Sequence, residues 1–250
     1  MTAQPLTACQ QFYIFHIFHP FINTQKEAIY LSTKDDFLTI KENGSHEIVI
    51  KKSRFIASLA RTNTVEEANN FIKKISKEHH DATHNTFAYT IGLNDDQVKA
   101  SDNGEPSGTA GIPELKALQL MNLKNVTVVV TRYFGGIKLG AGGLIRAYSN
   151  SVTEGVEHIG VVKRVLQQEL IFHVAYNRFD EVDHYLKNNQ IFVANTDYGV
   201  DIKISVFLNE DDQESFKNDL INLLSGKVEF TKGEKRYNEI PIQHNNYHEQ

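Results

Sequence analysis

Two glycine-rich stretches hold the residues best suited to chemistry. The first is Asp102-Asn-Gly-Glu-Pro-Ser-Gly-Thr-Ala-Gly111. The second is Gly135-Gly-Ile-Lys-Leu-Gly-Ala-Gly-Gly143, preceded by Thr131-Arg132-Tyr133-Phe134 and followed by Arg146. Each runs into a segment of helical periodicity. A helix N-terminus leaves backbone N–H groups unpaired and carries the positive end of the helix dipole, so such ends suit phosphate or carboxylate. Arg132, Lys138 and Arg146 add positive charge around the second stretch, while Tyr133 and Phe134 offer faces on which a base stacks. Gly135, Gly136 and Gly140 shape that loop, and Ser107, Gly108 and Thr109 are the matching candidates in the first. A structural reading stands beside the functional one, because glycines also permit tight helix–sheet packing and aromatics at a strand end also fill cores.

Familiar catalytic patterns are missing. Ala141 stands where a P-loop following Gly135 to Gly140 requires lysine, and Gly140-Ala-Gly142-Gly143-Leu-Ile145 lacks the third glycine of the dinucleotide fingerprint. Ser107 in Gly104-Glu-Pro-Ser-Gly108 is not a nucleophile elbow. His79, His80, Asp81 and His84 lack the H-E-x-x-H pattern, and a histidine at a helix C-terminus is explained by the dipole, so no metal is expected. Asp81, Asp102 and Glu105 could act as acid or base, but carboxylates beside Gly and Ser more often make turns. No catalytic residue and no cofactor are therefore assigned.

The elements that must position these residues are read from periodicity. Short alternating stretches at 37–40, 47–50 and 55–59, separated by Asn43-Gly44 and by Lys51 to Arg54, predict an antiparallel meander with a hairpin turn. Thr64-Val65-Glu66-Glu67 has the capping-box form, and Ala68, Phe71, Ile72 and Ile75 follow at helical spacing. Strands are expected over 86–93 and 97–101, a helix over 113–121, and a strand buried on both faces over 126–130. Leu144, Tyr148, Val152, Val156 and Ile159 predict a helix that Gly160 stops. Beyond it the order is βαββαβ: strand 169–175, helix 178–187, strands 191–195 and 201–208, helix 213–224 and strand 227–236. This is the order of a ferredoxin-like split βαβ unit.

Composition sets the outer bounds. The 250 residues are 40% hydrophobic and 23% charged, within the globular range. Cys9 is the single cysteine, which excludes a disulfide scaffold and a four-thiolate zinc module and fits a reducing cytoplasm. The apolar run 12–22 is too short to span a bilayer, and no basic stretch precedes it, so neither a membrane span nor a secretory signal is expected. Residues 1–34 read as a poorly ordered extension, or as sequence upstream of a start near Leu31. Net charge is −5, but its distribution is uneven: residues 35–165 carry 16 basic against 15 acidic side chains, residues 166–250 carry 8 against 15. A broadly basic nucleic-acid surface is thereby excluded, and any RNA contact must be local.

The stretches 131–146, 102–111 and Asp81-Ala-Thr-His-Asn85 resemble the IMPACT/YigZ family, and the resemblance runs from about Phe37 to Pro241 in the two-domain bacterial form. It implies an α+β protein. An N-terminal ribosomal-protein-S5-domain-2-like domain over 35–165 would be followed by a ferredoxin-like domain over 166–241 and a polar tail over 242–250. The pair is similar to the last two domains of the translocation elongation factor. Eukaryotic relatives of the first domain look like regulators of translation that compete for the activator of an initiation-factor kinase, a pathway bacteria lack, and the family defines no catalytic residues. The reading is thus a cytoplasmic, non-catalytic, translation-associated protein that contacts RNA or a ribosomal component. Arg132, Tyr133, Phe134, Lys138 and Arg146 would carry the contact, without DNA sequence readout. The alternatives are a phosphate-ligand enzyme or sensor using the helix N-termini, and a pure protein-interaction module.

Overall fold

The computed structural model describes residues 35–242. The extension over 1–34, with Cys9, and the tail from residue 243 lie outside the described residues.

The two-domain order is visible in two five-stranded sheets. The first contains β2 (Gly44–Ile50), β3 (Ser53–Arg61), β4 (His84–Ile91), β5 (Gln97–Ser101) and β6 (Val126–Tyr133), in the order β2-β3-β6-β4-β5 with antiparallel neighbours. Helix α1 (Val65–Glu78) covers one face; α2 (Gly111–Leu120) and α3 (Ala141–Ile159) cover the other. Successive residues of β4 show the two faces, Ala88 packing with the α2–α3 core and Tyr89 with Ala68 of α1. Because β6 is central and covered on both sides, it is buried from Val126 to Arg132, which explains its unbroken apolar run. Thr64 caps α1 as expected, its hydroxyl accepting the Glu67 N–H at 3.1 Å, while the Glu67 carboxylate reaches back one residue beyond the N-cap and accepts the Asn63 N–H at 2.8 Å.

The second sheet is built on β7 (Val161–Val174), a 14-residue strand that starts directly after Gly160. With β8 (Val193–Tyr198), β9 (Ile202–Asn209) and β10 (Phe230–Pro241) it gives the spatial order β10-β7-β9-β8, that of a ferredoxin-like unit. Helices α4 (Phe179–Asn188) and α5 (Gln213–Leu223) set Val182, Leu186, Phe216 and Leu220 against Phe172, Ile204 and Val206.

One pairing differs from the meander read from sequence. Strand β1 (Phe37–Ile40) does not pair with β2; it lies antiparallel to β7, Phe37 opposite Arg164 and Ile40 opposite Val161. Asn43-Gly44 is therefore no hairpin turn, and the Asn43 side chain instead accepts the Arg61 N–H at 2.8 Å. The physical reason is the length of β7, whose first residues extend past the end of β9 and leave an edge free for β1. β10 runs back along the opposite edge of β7 as far as Val162, and Arg61 of the first sheet bonds Glu239 of β10. The expected boundary near residue 165 falls inside β7.

Candidate functional site

The two glycine-rich loops have opposite fates. In the first, the Asp102 carboxylate turns back onto the start of α2: one oxygen accepts the Gly108 N–H at 2.7 Å, the other the Ala110 and Gly111 N–H groups at 3.0 Å each. Burial pushes this carboxyl up, but the three backbone donors outweigh it and hold Asp102 below the usual carboxylate range. The donors proposed for an external anion are thus occupied by an internal one. This corrects the assignment of Ser107, Gly108 and Thr109 as ligand contacts: the Gly108 N–H is committed and Thr109 is buried with its hydroxyl donating to Pro106 O at 2.6 Å, while Ser107 is exposed and its hydroxyl has no hydrogen bond to a described residue.

Arg132 requires a second correction. Its position on β6 opposite Phe55 and His84 carries its side chain inward, where it is 5% exposed. One terminal nitrogen lies 2.5 Å from Glu105 Oε1, and the guanidinium sits over the Phe55 and Phe134 rings at 5.3 and 5.5 Å. The same Glu105 oxygen accepts the Tyr148 hydroxyl at 2.7 Å, and the His84 ring nitrogen Nε2 stands 3.9 Å away. Burial, then the bond to Glu105, push the Tyr148 phenol far above its ordinary range, so it remains a donor. A carboxylate from the first loop, an arginine from β6 and a tyrosine from α3 therefore form one buried knot. Sequence reading missed Tyr148 in this role because its helical spacing marks it only as core.

Tyr133 is partly engaged as well. Its hydroxyl donates to Asp81 at 3.1 Å and lies 3.0 Å from His79 Nδ1, while Arg54 stacks on its ring at 5.1 Å. Burial and the Asp81 bond raise this phenol above its ordinary value.

What stays open is the second loop. Helix α3 has Gly140, whose φ is +75°, as its N-cap residue; no side chain caps it, and its first turn contains no acidic residue. Phe134, Gly136, Lys138, Gly140 and Arg146 are exposed. Neither Lys138 nor Arg146 forms an ion pair with a described residue. The fold adds two cations that no motif indicated. A two-residue hairpin turn joins β2 to β3, and both of its residues, Lys51 and Lys52, are exposed with φ of +46° and +68°, where Asn-Gly is the usual choice. The turn packs against Gly135 so closely that a Cβ there would lie 2.0 Å from the Lys52 carbonyl carbon, and the Gly135 N–H reaches Ser53 Oγ at 3.2 Å. Only glycine fits, and this close approach sets Lys51 and Lys52 beside the loop.

Among the described residues no group of three His, Cys, Asp or Glu side chains is placed to hold a metal, and no helix is long and apolar enough to cross a membrane.

A fold of this order, with a glycine-rich basic loop at the N-terminus of its longest helix, defines a two-domain class of protein. The Impact N-terminal domain matches residues 51–156, and a domain of unknown function, DUF1949, matches 172–227. The IMPACT family member YvyE of Bacillus subtilis is 46% identical over 208 residues, covering 83% of this chain and 96% of that protein. YigZ of Escherichia coli is 35% identical over 182 residues, 72% of this chain and 89% of the relative. A crystal structure described as that of a hypothetical protein is 31% identical, covers 80% of this chain and 98% of its own, and superposes with a TM-score of 0.51. The chain belongs to the IMPACT family.

Proposed function

We propose that this protein is a non-catalytic, translation-associated binding protein of the cytoplasm, docking on RNA or a ribosomal component through the second glycine loop. The contrast between the two helix ends carries this reading: α2 is filled by Asp102, whereas α3 has no capping side chain and lies among cations without described ion pairs. Backbone N–H groups of α3, with Lys138 and Arg146, would meet phosphates; Lys51 and Lys52 would extend the footprint; Phe134 would stack on an unpaired base. Arg132 and Tyr133 position the loop rather than touch the partner. The link to translation rests on the family resemblance, and the local patch agrees with a first domain that is near neutral overall.

The test is co-sedimentation with ribosomes and separated subunits across a salt series. Each neutralised phosphate adds about 0.7 to 0.9 to the log–log salt slope, so Lys138→Ala with Arg146→Ala should lower it by about 1.5, as should Lys51→Ala with Lys52→Ala. Binding that ignores salt, or that survives both double variants unchanged, would refute the reading. A protein partner is the second reading, supported by the acidic balance of residues 166–250, 15 acidic against 8 basic side chains; it would show as association that persists after nuclease treatment and weakens with salt.

A further inference from the structure

A second polar site lies on the ferredoxin-like half, and a β-bulge builds it. On β10, Lys232 pairs with Leu170 and Lys235 with Gln168, so three steps along β10 match two along β7. In a regular strand residues 232 and 235 project to opposite faces; the extra residue returns both lysines to the face of Leu170 and Gln168. The bulge is fastened twice. Gln168 Nε2 donates to Gly233 O at 2.9 Å and Glu234 O at 3.2 Å, and Glu169 Oε2 accepts the Glu234 N–H at 3.2 Å. A Cβ at Gly233 would lie 2.0 Å from that Glu169 oxygen and displace the carboxylate that holds the bulge.

The fold thus sets Lys232 and Lys235 on the lining of one small open cavity of about 50 Å³; neither forms an ion pair with a described residue, and Glu214 stands within electrostatic reach of Lys232. Glu210 and Asp35 line the same cavity without pairing to either lysine. Gln213, the first residue of α5, also lines it; this side chain is 7% exposed, and its amide has no hydrogen bond to a described residue. Two cations alone suit phosphate or a dicarboxylate, but two carboxylates on the same lining repel both. They suit a ligand that carries both signs a few bonds apart, with a neutral amide left to recognise what joins them.

We infer that this cavity binds a free α-amino acid, its carboxylate between Lys232 and Lys235 and its ammonium toward Glu210 and Asp35. The inference is independent of the ribosome-docking face, which lies on the other sheet.

Thermal shift and calorimetry on the full chain, at fixed ionic strength, test it with individual L-amino acids at millimolar concentration, beside acetate, methylamine and inorganic phosphate. At least one amino acid should raise the midpoint saturably while the three controls do not. Lys232→Gln, Lys235→Gln and Glu210→Gln, all at exposed positions, should each weaken that binding by about tenfold or more with the fold retained by circular dichroism. Silence across all the amino acids would overturn the inference. So would an equal response to acetate or phosphate, which means an unspecific anion, or binding undiminished in the Lys232→Gln, Lys235→Gln double variant.

Discussion

Replacing Arg132 by alanine tests the buried knot most directly. The change removes a guanidinium 93% shielded at its side chain and leaves Glu105, 98% shielded, with the Tyr148 hydroxyl as its one close donor among the described residues. Breaking a buried pair from one side costs about 3–5 kcal/mol, because the remaining charge is desolvated without compensation. Two further losses have the same sign: the stacking over Phe55 and Phe134, and the packing of the arginine stem. The chain has no tryptophan, so urea unfolding is best followed by far-ultraviolet circular dichroism. With a urea slope of about 2 kcal/mol per molar, the midpoint should fall by about 2 M. Glu105→Gln in the same background should recover part of the loss, since a neutral amide replaces the stranded charge. Lys138→Ala, at an exposed position, should stay within about 0.5 kcal/mol of the parent. An Arg132→Ala loss below about 1 kcal/mol would refute the reasoning and return Arg132 to the solvent-facing role first assigned to it.

Three other outcomes follow from the same geometry. Glu114, wholly buried on α2, is pushed well above its ordinary range by burial, which outweighs the hydrogen bond that the Thr86 hydroxyl donates to its carboxyl. The unfolded chain ionises above pH 4.5 while the folded one does not, so Glu114 lowers stability by about 1.4 kcal/mol per pH unit from there upward until its folded pKa is reached. Glu114→Gln should therefore be the more stable protein at neutral pH, with the difference vanishing below pH 4.5; a difference independent of pH would exclude a protonated carboxyl. Asp102→Ala should cost about 2 kcal/mol at neutral pH by uncapping α2. The folded Asp102 pKa is depressed, so its contribution is present above the ordinary 3.8 and is lost as pH falls through the folded value; acid titration of the two proteins should converge there. Gly135→Ala forces a Cβ into the Lys52 backbone and should destabilise by more than 1 kcal/mol on the scale of overpacked sites, about 1–3 kcal/mol, with chemical-shift changes at Lys51 to Ser53; silence at the turn would deny the contact.

The sequence by itself determined whatever depends on neighbours along the chain. Period 3.6 marked α1 and α3, the Thr64–Glu67 spacing set the start of α1, the continuous run at 126–130 announced a strand covered on both faces, and the βαββαβ order announced the second sheet. The long glycine-rich stretches were sufficient to indicate the family. Tertiary structure decided which of those residues face water. Arg132 and Lys138 are both basic and six positions apart; one is held inside by a carboxylate 27 residues away, and the other is outside. The two loops have the same local chemistry, but Asp102 folds back onto the first, whereas among the described residues no side chain caps α3 and its first turn contains no acidic residue. Lys51 and Lys52 join the site because Gly135, more than 80 residues later, accepts their turn at backbone contact distance. Lys232 and Lys235 share one face because β10 bulges where it pairs with β7. The free energy of a buried charge or a filled helix end depends on which distant group closes on it, and that is set by chain topology rather than by local spacing.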